Sequence, residues 1–300
     1  MNKMKKRKGL VLAGGNGTRL FPATRSISKQ LLPIFDKPMI YYPITTLMLS
    51  GITEILVITT PRDLAGFKQL LGNGTQWGIE IEYAEQLEPK GIAEAFLIGE
   101  KYIAGHQVAL ILGDNLFYAS NLKEILQRAS MRNSGATIFG YNVKNPSDYG
   151  VVNFNQAGLV ASIEEKPRNP ASRYAVTGLY FYDERAPEFA KELKISARGE
   201  LEISDLNNKY LEIDSLNLEI FPPGTAWLDT GQPEQLLDAA NFVRIVEERQ
   251  GLKIGCPEEV AFRTDLIDID QLKKITSVLP ETSYGKYLTS IIQGAEFENN

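Results

Sequence analysis

The sequence predicts an α/β fold, a single domain of parallel βαβ units carrying a further substrate lobe, and three observations support this. Over the first half, short β-branched runs alternate with helical patterns, the arrangement that builds a parallel sheet covered by helices. The second half opens instead with strand-like runs, two of them joined by Asn155-Gln156-Ala157-Gly158, a hairpin turn. The 300 residues are 43% hydrophobic and 23% charged, ordinary globular composition with enough chain to bury a large core. No internal repeat, low-complexity tract or clear linker divides the sequence.

Taken in order, residues 9–13 read as a buried strand stopped by Gly14-Gly15. Residues 40–49 are helical and closed by Gly51, and residues 54–60 form a strand rich in Ile, Val and Thr. A helix over 63–71, an extended run over 79–84 and an apolar-striped helix over 92–103 follow. Residues 108–112 are a buried strand ending at Gly113-Asp114; a helix over 122–134 and a strand over 136–143 complete the pattern. Strands over 151–154, 159–164 and 175–181 precede helices over 186–193 and 202–212. Short apolar segments at 216–221 and 226–228 lead into a long amphipathic helix over 233–248. The tail, from about Asp270 to Ile292, is helical with a break at Pro280.

Formal charge is −5, from 32 basic and 37 acidic residues, so no broad basic footprint for nucleic acid exists. Cys256 is the single cysteine, which excludes an intramolecular disulfide framework and cysteine-rich metal sites. His106, the single histidine, sits in a polar Gly-His-Gln turn and is expected to be exposed and inert. The basic start through Lys8 reads as a solvated, frayed lead into the first strand. The apolar stretch behind it falls short of the roughly 7–15 residues of a secretory h-region. No run approaches the roughly 18 apolar residues of a membrane span. A cytoplasmic protein with no membrane partner is expected.

Any chemistry must therefore run on carboxylates, Lys and Arg, with or without a metal. The strongest local signal is LAGGNGTRL, residues 12–20, directly after the first strand. Glycines there let backbone N–H groups approach a phosphate, with Thr18 and Arg19 adding donors; a plain tight turn is the alternative. It matches neither a Walker loop nor the dinucleotide fingerprint. Lys29 follows ten residues after Arg19 and brings a second cation to the same mouth. Asp114 and Asp229 each end an apolar run, where they either cap loops or serve as hard oxygen ligands for Mg²⁺. Glu164-Glu165-Lys166-Pro167 ends a strand, as a solvated turn or as a phosphate and hydroxyl contact. Asp268-Ile269-Asp270 has the shape of a glycosyltransferase metal motif but stands where a helix cap belongs.

In combination these motifs resemble the glucose-1-phosphate thymidylyltransferases, a branch of the sugar nucleotidyltransferases. The resemblance runs over nearly the whole chain, through LAGGNGTRL (12–20), SKQLLP (28–33), DKPMIYY (36–42), LGDN (112–115), EEKP (164–167), VTGLYFY (176–182), RGELEI (198–203) and WLDTG (227–231). It implies a Rossmann-like nucleotidyltransferase fold with a mixed, mainly parallel central sheet and a sugar-binding lobe. The parts expected are a nucleotide-binding core over about 1–145, a sugar-phosphate part over about 146–232 and a helical part over about 233–300. Gly14, Gly15, Gly17, Thr18, Arg19 and Lys29 would hold the triphosphate of dTTP. Gln86 and Gly91 would meet the base, with Gln30 and Asp114 in the same nucleotide pocket. Tyr149, Gly150, Glu165, Lys166, Val176 and Trp227 would line the glucose 1-phosphate site, and Asp114 and Asp229 would bind Mg²⁺. A homotetramer, inhibited by dTDP-rhamnose at a second site between subunits, belongs to the same expectation.

Two stretches depart from the family pattern. Phe221-Pro222-Pro223-Gly224 replaces a Gly-Arg-Gly before WLDTG, and Lys90 replaces an Asp before the base-contacting glycine. The implied reaction is a single in-line displacement, with Arg19, Lys29, Lys166 and Asp114 as the catalytic groups. Its nucleophile, a phosphate oxygen, is already an anion, so the scarcity of His and Cys is no obstacle. The rivals are a uridylyltransferase on the same fold, a non-catalytic nucleotide-sugar sensor and a glycosyltransferase.

Overall fold

The computed structural model describes residues 6–298. In chain order the strands are β1 (Arg7–Ala13), β2 (Pro33–Ile34), β3 (Lys37–Pro38), β4 (Glu54–Thr59), β5 (Glu80–Glu85), β6 (Gln107–Leu112), β7 (Asn115–Tyr118), β8 (Ala136–Asn142), β9 (Gly150–Phe154), β10 (Val160–Glu165), β11 (Tyr174–Tyr182), β12 (Leu216–Ile220) and β13 (Ala226–Asp229). The helices are α1 (Tyr41–Leu49), α2 (Leu64–Leu71), α3 (Glu94–Ile98), α4 (Glu100–Ile103), α5 (Leu122–Ser130), α6 (Ala186–Lys191), α7 (Ile203–Glu212), α8 (Pro233–Gln250), α9 (Pro257–Arg263), α10 (Ile269–Ser277) and α11 (Ser283–Glu298).

One mixed sheet organises the molecule. Its path runs β10-β9-β11-β6-β1-β4-β5, with β8 on β11 and β12 on β8. β6, β1, β4 and β5 are parallel, and β11 joins β6 antiparallel. Successive residues of a strand point to opposite faces, so each central strand feeds two cores. Leu10, Leu56 and Leu110 pack on one face with Phe96 and Tyr210. Val11, Val57 and Ile111 pack on the other with Ile44, Leu47 and Leu288. Near-continuous apolar runs in β1, β4 and β6 follow from this two-sided cover. A third cluster, with Ile34, Met39, Leu116 and Val243, seats α8 against the β2-β3 hairpin and β7.

The structure departs from the sequence reading at several elements. The first strand starts at Arg7, and that side chain is buried instead of solvated. Its guanidinium donates to the carbonyls of Val108 at 2.9 Å, Tyr182 at 2.8 Å and Arg132 at 2.9 Å. Burial lowers Arg7 to about 10. Lys8 lies half-buried in the same strand and, with the exposed Lys6, pairs with Glu54, while residues 1–5 of the basic lead lie outside the described residues. The helix expected over 122–134 stops at Ser130, where Arg7 takes the Ser130 and Arg132 carbonyls and the chain turns toward Gly135. The expected 92–103 helix divides at Gly99, whose bare Cα lies against Leu10 of the sheet. α9 and β7 are additional to the expectation, although Pro257 at the first helical position followed by Glu258-Glu259 is a start signal. The hairpin at 155–158 forms as expected, with Asn155 Oδ1 accepting from the Ala157 and Leu159 N–H groups.

Candidate active site

Ligand sites in such sheets gather at the carboxyl ends of strands, where the order of connection reverses. Here β1 leads on to β4 and β5 on one side while β6 lies on its other side, so the crevice opens beyond Ala13 and Leu112. The loop after β1 turns through Gly15 (φ +95°) and Gly17 (φ +57°), conformations that favour glycine. Thr24 Oγ1 fastens it by donating to the Gly17 carbonyl at 2.7 Å. One 3-10 turn, Thr18–Leu20, then buries Leu20 and leaves Thr18 and Arg19 exposed. Gly14, Gly15, Gly17, Thr18, Arg19 and Lys29 line one small hollow together with Gly231. Arg19 also borders a larger cleft beside it.

The two aspartates meet through a strand pair that sequence reasoning did not anticipate. β7 pairs antiparallel with β13, placing Asn115 opposite Asp229, so Asp114 and Asp229 both reach the cleft. The Thr230 hydroxyl donates to the Asp114 carbonyl at 2.9 Å and locks the join. Lys29 forms an ion pair with the Asp114 carboxylate, and Asn115 Nδ2 donates to it at 3.0 Å. Burial pushes the Asp114 carboxyl up, but the Lys29 ammonium and these hydrogen bonds outweigh it and hold the group below the ordinary carboxylate range. Burial and then the Asp114 charge push Asp229 up to about 6, against Lys29 and Arg19.

Asn115 acts as the hub of this wall. Its Oδ1 accepts from Trp227 Nε1 at 2.6 Å and from the Gly178 N–H at 3.1 Å. Gly178 lies in the register shift of β11 between Val176 and Tyr180, where the ladder is interrupted and a side chain takes over the freed N–H. A Cβ at Gly178 would sit 2.5 Å from that Oδ1, so the position requires glycine.

The opposite wall comes from β9, β10 and α7. β10 ends at Glu165, and Lys166 follows at φ +44°, a left-handed conformation uncommon outside glycine. Its N–H donates to the Tyr149 carbonyl at 3.0 Å. Glu165 accepts from the Ser204 hydroxyl and from Arg198 at 3.3 Å. Gly150 lets the chain pass close to Ser204. The Tyr149 ring meets Trp227 at 5.0 Å, and Val176 closes the floor. Among the described residues, Arg19 and Lys166 make no ion pair closer than 4 Å, although Asp229 and Glu165 line the same cleft.

The remaining expected residues fall around this centre. Gln86 is buried beside the glycine loop, its Oε1 only 2.0 Å from where a Gly14 Cβ would lie. Gly91 (φ +105°) runs against the Leu201 backbone, which also accepts from the Ala93 N–H. Gln30 is buried beneath Gly113, with its Oε1 taken by the Ser28 hydroxyl at 2.6 Å. Asp268 is a cap, accepting from the Gln271 N–H at 2.8 Å. His106 is half-buried, with Nδ1 on the Ala104 carbonyl at 2.8 Å. Asn115, Ser204, Thr230 and Gln235 are site residues the sequence reading assigned no role; Asn115 stood inside LGDN and Thr230 inside WLDTG.

Two carboxylates fit a small hard cation. Asp114 and Asp229 are half-buried in one cleft and the charge of the first raises the second, a repulsion that a divalent ion relieves. No group of three or more His, Cys, Asp or Glu converges on one point among the described residues, so other oxygens would complete the shell.

Comparison with known proteins converges on one family. The nucleotidyl transferase family matches residues 8–245. A glucose-1-phosphate thymidylyltransferase of Xanthomonas campestris pv. campestris is 53% identical over 288 residues, 96% of this chain and 98% of that one. One of Neisseria meningitidis is 54% identical over 286 residues, 95% of this chain and 99% of its own. A Bacillus anthracis crystal structure bearing the same enzyme name, in complex with sucrose, superposes with a TM-score of 0.74 at 37% identity, covering 79% of this chain and 95% of that one. A UDP-glucose pyrophosphorylase complexed with UDP-glucose gives a TM-score of 0.70 at 25% identity, covering 81% and 100%. With near full-length matches above half identity and the same fold, the chain belongs to the glucose-1-phosphate thymidylyltransferases of the nucleotidyl transferase family.

Proposed function

We propose that the chain transfers a thymidylyl group from dTTP to α-D-glucose 1-phosphate, giving dTDP-glucose and pyrophosphate. The observation that carries this reading is a single cleft bordered by two cations without ion partners, Arg19 and Lys166, with the Asp114/Asp229 pair between the glycine loop and the Lys166 wall. A phosphate oxygen of glucose 1-phosphate attacks the α-phosphorus, that bond forms as the bond to pyrophosphate breaks, and no protein nucleophile intervenes. Catalysis rests on positioning and charge neutralisation.

Arg19, at the junction of hollow and cleft, holds the leaving pyrophosphate, and the glycine-loop N–H groups hold the triphosphate with Lys29 and Thr18. Lys166, fixed by its left-handed backbone, holds the incoming phosphate. Glu165 accepts from sugar hydroxyls, and Tyr149, Val176 and Trp227 pack on the sugar. Asp114 and Asp229 would hold Mg²⁺, which supplies charge neutralisation and orientation on the phosphates when bound. The product feeds a deoxysugar route of the dTDP-L-rhamnose type, in the cytoplasm, where dTTP is found. A homotetramer with end-product inhibition by dTDP-rhamnose completes the reading.

Sugar-dependent pyrophosphate release with dTTP, UTP, ATP, CTP and GTP tests it. Release led by dTTP is expected, with UTP a poorer substrate because one methyl is worth only about 1–3 kcal/mol. Release led by UTP would make the chain a uridylyltransferase. No release with any nucleotide would leave a nucleotide-sugar sensor.

A further inference from the structure

At the start of α8, one amide carries an oxygen that the fold leaves unused, and it bears on how Arg19 is held, given the transferase reading above. Gln235 stands in the first turn of α8, shortly after the N-cap Gln232, and lines the cleft. A glutamine at that place can reach back to the N-cap N–H. Here its Oε1 is shut off from solvent and has no hydrogen-bond partner among the described residues. The other half of the amide is engaged. Burial pushes the Tyr149 phenol up to about 12, with the Asp229 and Asp148 charges adding, whereas a hydrogen bond from Gln235 pulls it down. A bond that favours the phenolate is donated to its oxygen, so the NH₂ group faces Tyr149 and Oε1 faces away.

Gly231 borders both the hollow and the cleft, and its bare Cα leaves a gap at their junction. A Cβ on Gly231 would lie 3.5 Å from Gln235 Oε1, 3.5 Å from Arg19 Nη1 and 3.3 Å from Asp229 Oδ1. Of the three groups around that gap, only the guanidinium donates once Asp229 is ionised. Arg19 is exposed, and a long side chain without a fixed partner loses rotamer freedom whenever it is used. The two acceptors differ in consequence. A carboxylate that held Arg19 would cancel the charge a polyphosphate needs, whereas an amide oxygen holds the guanidinium and leaves its charge intact. We propose that Gln235 is a positioning residue for Arg19: its amide oxygen accepts from one edge of the guanidinium and leaves the other edge for the departing pyrophosphate.

The test measures pyrophosphate as a product inhibitor of dTDP-glucose formation in the wild type, Gln235→Leu, Gln235→Met, Arg19→Ala and the Arg19→Ala/Gln235→Leu double variant. Losing a hydrogen bond to a charged group should raise the inhibition constant at least about tenfold in Gln235→Leu and in Gln235→Met. The KM for glucose 1-phosphate should stay within about threefold of wild type, because the contact acts through Arg19 and not through the sugar. In the Arg19→Ala background the Gln235→Leu change should alter the inhibition constant less than about twofold, since the partner it positions is gone. A merely structural role would weaken both substrates and pyrophosphate alike, with the same loss in either background. Either an unmoved inhibition constant in the single variants or a full effect that persists without Arg19 overturns this inference alone. So does a change confined to the glucose 1-phosphate KM, which would give the oxygen to the sugar. A wild type that forms no nucleotide sugar with any nucleotide overturns the transferase reading and this inference with it.

Discussion

Arg19 and Lys166 border the cleft without a direct ion pair among the described residues, and each is expected to meet a phosphate. Removing one placed charge-stabilising group costs on the order of 10²–10³ in turnover. Arg19→Ala and Lys166→Ala should each lose that much kcat in steady-state assays, and a loss of only a few-fold would remove the residue from the mechanism. Asp114→Asn should weaken the Mg²⁺ dependence as well as slow turnover. An unchanged metal titration would make Asp114 structural. Arg19 and Asp114 were visible in the sequence because one follows glycines and the other ends an apolar run, where parallel sheets present functional groups, and Lys166 because it sits in a charge cluster at a strand end. Arg7 was not legible: in sequence it belongs to a basic run, and only the convergence of the Val108, Tyr182, Ser130 and Arg132 carbonyls makes it an interior residue.

At the scale of elements, the pairing of β7 with β13 brings Asp114 and Asp229 together although they are far apart in the chain. The strand after Gly113-Asp114 was not read from the sequence, and residues 226–228 stood only as a short apolar segment, so the sequence showed both aspartates without the pairing that joins them. Asn115 stabilises that device by accepting from Trp227 and Gly178. Asn115→Ala would leave two buried donors unpaired, each worth roughly 1–3 kcal/mol. Urea unfolding should therefore show a loss of about 2 kcal/mol or more, and the metal titration should shift with it. Stability equal to wild type would mean that water or backbone replaces the amide. The βαβ alternation was legible from periodicity, whereas the register shift in β11 was not, because it answers to Asn115, a residue from another strand.

Across the whole molecule, buried carboxylates tie distant parts of the chain together. Asp183 at the end of β11 accepts from the Gly135 N–H at 2.6 Å, from Tyr210 of α7 at 2.9 Å and from Arg185 at 2.6 Å. Burial pushes its carboxyl up, and these donors, Arg185 first, overcome that and leave it below the ordinary range. A carboxyl depressed in the folded state contributes stability above its unfolded value of about 4 and loses it as pH falls through the folded value. Wild type and Asp183→Asn should therefore differ most in unfolding free energy near neutral pH and converge in acid below about pH 4. A constant gap down to pH 2 would show that shape alone matters at this position.

In the proposed reaction the cleft carries a nucleotidyl group from dTTP to a sugar phosphate in one displacement. Incubating the chain with Mg²⁺, glucose 1-phosphate and dTTP labelled at the α-phosphorus tests it most directly. The label should appear in dTDP-glucose, one for each pyrophosphate released, with none on the protein. Label that stays in dTTP, or that is recovered as dTMP or bound to the chain, would contradict it.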